Sequence, residues 1–172
     1  MEGLIHIYTG EGKGKTSAAI GLALRMAGSG GRVLIAQFLK DHTSSELASL
    51  AKIEEIDIIS YPHKVSFLKR MNEEELLFAK EKNREYFEKI LACCNKYDML
   101  LLDEFCAAYR YDLIDQERVL DFLHHKPKKL ELVLTGRDAD PKLIELADYV
   151  SEIKKIKHPF DRGISARRGI ER

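Results

Sequence analysis

Short apolar, β-prone runs alternate along the chain with longer stretches of helical periodicity, and glycine, proline and polar residues punctuate them. The pattern predicts strands over Leu4–Tyr8, Arg32–Phe38, Ile56–Ser60, Tyr97–Leu102, Glu131–Leu134 and Tyr149–Ile153. Between them it predicts helices over Ser17–Ala27, Ser44–Lys52, Asn72–Cys94, Asp115–His124 and Asp140–Ala147. Several of these helices carry boundary chemistry. Gly28, Gly30 and Gly31 close the first, Asn72 opens the third with Glu73, Glu74 and Glu75 in its first turn, and Pro141 takes the first helical position of the last. Met99–Leu102 is continuously apolar rather than alternating, as suits a central strand covered by helices on both faces. Right-handed crossovers between successive strands then give an α/β three-layer sandwich with a mainly parallel central sheet, and ligands bind off the carboxyl ends of its strands. No repeat or linker interrupts residues 1–172, which are expected to form one nucleotide-binding domain with a basic tail at about 154–172.

Composition narrows the functional classes. The 172 residues are 45% hydrophobic and carry 28 Lys plus Arg against 28 Asp plus Glu, a balance that suits a folded domain and removes the overall cationic field of a nucleic-acid binder. The exception is local: residues 154–172 hold seven Lys or Arg against Asp161 and Glu171. No apolar run is long enough for a signal peptide or a membrane span, so a cytoplasmic protein without a membrane partner is expected. Cys93, Cys94 and Cys106 have neither metal-knuckle nor disulfide spacing and read as small reduced hydrophobes.

The chemistry begins directly after the first strand. Thr9-Gly10-Glu11-Gly12-Lys13-Gly14-Lys15-Thr16, followed by Ser17, is a phosphate-binding loop between a strand and a helix. Its glycines let backbone N–H groups turn toward an anion, and the following helix adds its positive end. Lys15 can reach phosphate oxygens and the Thr16 hydroxyl can ligate Mg²⁺. The general pattern has Gly where this chain has Thr9. Leu100-Leu101-Leu102-Asp103-Glu104 is a second element of the same kind, an apolar strand ending in two carboxylates. Asp103 there would hold Mg²⁺ directly or through water, and Glu104 would help position metal or substrate. These residues imply Mg-nucleotide binding and leave kinase, hydrolase, switch and transferase open.

Residues 9–40 resemble the start of the ATP:corrinoid adenosyltransferases of the cob(I)yrinic acid a,c-diamide type, in which Thr9 is the usual residue. The resemblance continues through YDMLLLDEF at 97–105, LVLTGRDADPKLIELADYVSEI at 132–153 and KHPFDRGISARRGIER at 157–172. It implies a P-loop NTPase fold of the RecA-like kind and an enzyme that moves the 5′-deoxyadenosyl group of ATP onto the cobalt(I) of a corrinoid, releasing triphosphate. It also implies ATP as co-substrate, Mg²⁺, a flavoprotein electron donor and a homodimer. Lys15 would then stabilise the departing triphosphate, Thr16 and Asp103 would hold the ion, Glu104 would orient metal or nucleotide, and Arg137 would lie near nucleotide or corrinoid. The tail would pack by the site rather than act as a nucleic-acid arm.

The sequence departs from the family where corrinoid is expected. Val65 and Phe67 stand where family members have the two aromatics of a Phe-Thr-Trp, leaving Phe67 as the candidate apolar wall. Cys106 stands where the family usually has Asn, and Lys40-Asp41 replaces a continuation rich in Gly and Trp. Two alternatives therefore remain: a P-loop kinase or ATPase with Glu104 as base, and a nucleotide-dependent corrinoid-binding protein without turnover.

Overall fold

A computed structural model describes residues 2–40, 44–59, 61 and 71–170. Six strands form one sheet: β1 (Ile5–Thr9), β2 (Val33–Gln37), β3 (Ile56–Ile59), β4 (Met99–Asp103), β5 (Glu131–Thr135) and β6 (Tyr149–Glu152). Their order is β3-β2-β4-β5-β1-β6, and every pairing is parallel. The helices are α1 (Lys15–Gly28), α2 (Leu47–Leu50), α3 (Glu73–Leu91), α4 (Phe105–Arg110), α5 (Gln116–His125) and α6 (Pro141–Leu146). Short 3₁₀ turns occupy Cys94–Lys96 and Pro159–Arg162.

Two apolar clusters, one on each face of the sheet, make the expected three layers. On one face Ala19, Ala23 and Ala27 bring α1 down on Val33, Ile35 and Leu101, small side chains that allow a close approach. On the other, Phe87, Phe105, Phe122 and Leu143 of α3 to α6 pack with Leu34, Leu102 and Leu134. Strands β2 and β4 are buried at every position, whereas β6 is an exposed edge.

The capping residues act as their chemistry predicts. Asn72 accepts from Glu75 N–H while the Glu75 carboxylate accepts from Asn72 N–H, a complete capping box. Asp115 caps α5 through Arg118 N–H, and Asp140 with Pro141 starts α6. The differences from expectation are local. Helix α1 begins at Lys15 rather than Ser17, because its turns start immediately at Gly14, and α2 is a single turn rather than Ser44–Lys52. Helix α3 stops at Leu91 and gives way to the 3₁₀ turn containing Cys94. Helix α4 was not expected: Phe105, Cys106, Ala108 and Tyr109 are all buried, so no polar face betrays it. No described helix is long and apolar enough to cross a membrane.

Because all strands run the same way, the loops after β1, β2, β4 and β5 gather at one edge of the sheet.

Candidate nucleotide site

Asp103 is the last residue of β4 and is 1% exposed, so its charge has to be matched by donors. Its Oδ1 accepts from the Thr16 hydroxyl at 2.8 Å and from the Thr135 hydroxyl at 2.7 Å. Its Oδ2 accepts from Gln37 Nε2 at 3.1 Å and from Lys40 Nζ at 2.6 Å. Parallel register explains the convergence: Gln37 lies opposite Asp103 on β2, and Thr135 ends the neighbouring β5. The Thr16 proton is committed to Asp103, which leaves the Thr16 lone pairs for a cation.

Lys15 is buried in the loop, with Nζ donating to Gly10 O at 2.7 Å and to Gly12 O at 2.9 Å. Burial pushes its pKa below the ordinary lysine value, against the opposing pull of Glu104. Its partners are neutral carbonyls, which a phosphate oxygen outcompetes. Gly14 is the N-cap of α1, in the left-handed region at φ 119°, and no side chain caps the helix. The first-turn amides are thus left for an anion.

Gly10 and Gly12 also meet a packing demand that the motif does not state. A Cβ on either would lie 2.6 Å from the Ile153 carbonyl oxygen. Gly12 N–H donates to that oxygen at 2.7 Å, and Ile153 N–H donates to Thr9 O at 2.8 Å, so these glycines also admit the segment after β6. The Thr9 hydroxyl likewise faces the protein, accepting from Ala139 N–H at 3.3 Å.

Glu104 follows Asp103 with φ 57°, a strained conformation for a side-chain-bearing residue, and its N–H donates to the Thr135 hydroxyl at 3.0 Å. Burial first, and the Asp103 charge second, raise its carboxyl above the usual range. Burial acts against the Lys40 ammonium, but Asp103 outweighs it and raises the Lys40 pKa. Arg137, past β5, pairs with Glu11 of the loop at 2.9 Å. Cys106 packs beneath the turn that carries it: a Cβ on Gly136 would lie 2.8 Å from the Cys106 Cβ. Burial pushes the Cys106 thiol up to about 12, so it is a packing group at this position.

A cavity of about 1010 Å³ opens beside this cluster. Glu11 through Ser17, Lys40, Glu104 and Arg137 form its polar lining. Phe160, Ile164 and Ile170 of the C-terminal tail, and Ile20 and Leu24 of α1, add apolar lining to it. Phe67 and Val65 lie outside the described residues. Sequence motifs pointed to Lys15, Thr16, Asp103, Glu104 and Arg137, and the structure brings them to one edge. They gave no signal for Gln37 and Thr135, which the sheet register brings to Asp103, or for Lys40, which the turn after β2 brings there.

The oxygen donors Thr16 and Asp103 suit Mg²⁺. Among the described residues no three His, Cys, Asp or Glu side chains converge as a metal cage, so further ligands for such an ion would come from phosphate and water.

A parallel sheet with one strand between the loop-bearing β1 and the acidic β4, and Lys15, Thr16 and Asp103 at its carboxyl edge, defines a P-loop nucleotide-binding protein. The solved structure of a KaiC-like protein from Pyrococcus horikoshii shares this fold, with a TM-score of 0.55 and 16% identity over 91% of this chain and 75% of that one. The chain belongs to the ATP:corrinoid adenosyltransferase BtuR/CobO/CobP family, whose model matches residues 1–172. It is 34% identical to the corrinoid adenosyltransferase of Escherichia coli K12, over 98% of this chain and 85% of that one. It is 36% identical to the corrinoid adenosyltransferase of a Sinorhizobium species, over 99% and 80%.

Proposed function

We propose that this chain transfers the 5′-deoxyadenosyl group of ATP to the cobalt(I) of a corrinoid, cob(I)yrinic acid a,c-diamide or cobalamin, and releases triphosphate. The observation that carries the reading is one cavity lined both by the phosphate loop with Lys40 and Arg137 and by apolar residues of the tail, Phe160, Ile164 and Ile170. The cobalt electron pair forms the bond to ribose C5′, the C5′–O5′ bond breaks, and its electrons leave with the triphosphate. What needs stabilising is the leaving group. Lys15, the first-turn amides of α1 and Arg137 are placed for that charge, and Gly14 and Ser17 shape the same rim. The backbone from Thr9 to Lys13 holds the loop in position. Mg²⁺ arriving with ATP would supply further neutralisation at Thr16 and Asp103, with Glu104 beside them.

No proton moves in this reaction, so Glu104 acts by orienting its neighbours rather than as a base. The apolar side of the tail fits the face of a macrocycle or a base better than a phosphate. A cytoplasmic homodimer of one-domain chains, supplied with electrons by a flavoprotein donor, completes the reading on family grounds.

The test is an anaerobic incubation with Mg-ATP and chemically reduced cobalamin, with products separated by chromatography. Adenosylcobalamin and triphosphate in equal amounts are expected. ADP and phosphate instead would replace the reading with a kinase or ATPase, and ATP binding without turnover would replace it with a corrinoid-binding protein.

A further inference from the structure

Lys40 lies outside both nucleotide motifs, yet its ammonium sits on the oxygens best suited to a divalent ion. Nζ is 2.6 Å from Asp103 Oδ2 and 3.4 Å from Thr16 Oγ1. The placement is built into the fold. Phe38 N–H donates to the Asp103 carbonyl at 2.9 Å, and Leu39 turns the chain through a left-handed conformation, φ 53°. Lys40 therefore leaves β2 facing the carboxylate, with a quarter of its side chain exposed. Thr135 and Gln37 satisfy Asp103 from other directions, so the ammonium is the only charged partner among its described hydrogen bonds.

We propose that Lys40 is an exchangeable counter-ion of the nucleotide site, holding Asp103 and Thr16 when no divalent ion does and passing to the triphosphate when one arrives. The inference rests on the nucleotide-site reading above. An ammonium and a divalent ion on the same two oxygens repel strongly at such separation. Lysine's flexible four-carbon stem lets its head move while its backbone stays fixed. Lys40 borders the same cavity as the phosphate loop, so a bound triphosphate adds a highly charged acceptor beside the carboxylates of Glu104 and Glu46 that already act on it. The consequence is coupling. An ion alone displaces the ammonium toward the single charges of Glu104 and Glu46, whereas ion and nucleotide together give it a partner of higher charge. The two ligands then favour each other's binding, and reciprocally so.

The experiment titrates nucleotide-free protein with Mn²⁺, read by the loss of its free-ion paramagnetic resonance signal, and repeats the titration with ATP. Lys40→Met should take up Mn²⁺ on the order of tenfold more tightly than wild type without nucleotide, and the enhancement that ATP gives should shrink by a similar factor. Lys40→Arg, which keeps the charge, should stay near wild type. If Lys40→Met does not fold, Lys40→Gln takes its place. A wild-type measurement stands beside them: the Lys40 resonance in ¹³Cε-lysine spectra should shift on addition of Mg-ATP. Mn²⁺ uptake by Lys40→Met no tighter than wild type, or a Lys40 resonance unmoved by saturating Mg-ATP, overturns the inference alone. Wild-type protein that binds no ATP overturns the nucleotide-site reading and the inference with it.

Discussion

Four donors converge on Asp103, and a carboxyl group so deeply buried is tolerated because each oxygen is paired. Glu104, one residue on, lacks this matching, and burial with the Asp103 charge raises its pKa. The folded chain thus holds the Glu104 proton more tightly than the unfolded chain, so this group's contribution to stability falls as pH rises above its ordinary value of 4.5. Glu104→Gln removes that penalty. Its Tm should exceed that of wild type by on the order of a few degrees at neutral pH, with the gap closing as pH falls toward 4.5. The same variant should keep adenosyl transfer within a few-fold, since no base is required. Thermal melts across pH and initial rates check both. Lys15→Ala removes an ammonium placed for phosphate and should weaken ATP binding roughly 10- to 100-fold by calorimetry. Unchanged affinity would remove Lys15 from the site. The motif residues Lys15, Thr16 and Asp103 were legible because their chemistry is fixed at short spacing. Gln37 and Thr135 were not, because sheet register makes them neighbours of Asp103, nor was Lys40, which the turn after β2 brings there.

Among elements, helix α3 shows how local chemistry writes itself into sequence. Asn72 and Glu75 satisfy each other's backbone donors at its start. Asn72→Ala should destabilise the fold by about 1 kcal/mol, read as a lower urea midpoint with unchanged slope. The strands were legible as apolar runs, and the caps at Asp115 and Asp140 as residue types. Helix α4 was not, since six residues buried nearly all round have no amphipathic period. Strand order was equally hidden: placing β5 beside β1 depends on a pairing of residues more than a hundred apart in sequence, such as Ile5 with Leu132. The glycine-rich loop was read for phosphate alone, whereas Gly10 and Gly12 also answer to Ile153, a contact no local pattern encodes.

Over the whole molecule, the C-terminal tail was legible through resemblance and not through composition. A basic terminus with scattered apolar residues reads as a solvated end, whereas the HPFDRGI segment at 158–164 implies packing by the site. Here Phe160, Ile164 and Ile170, all substantially exposed, line the cavity that the phosphate loop also borders. That wall is expected to serve the acceptor rather than ATP. Phe160→Ala should slow transfer to cobalt severalfold or more while ATP affinity stays within about twofold, a separation that binding and single-turnover data reveal. Equal losses in both would assign the wall to the nucleotide.

The central claim is that this site breaks the bond between C5′ and its oxygen. ATP carrying ¹⁸O at the 5′ bridging position, turned over with cobalt(I) corrinoid under argon, tests it by mass spectrometry of the products. All of the label is expected in triphosphate, whereas label retained in ADP would show phosphoryl chemistry and rule out adenosyl transfer.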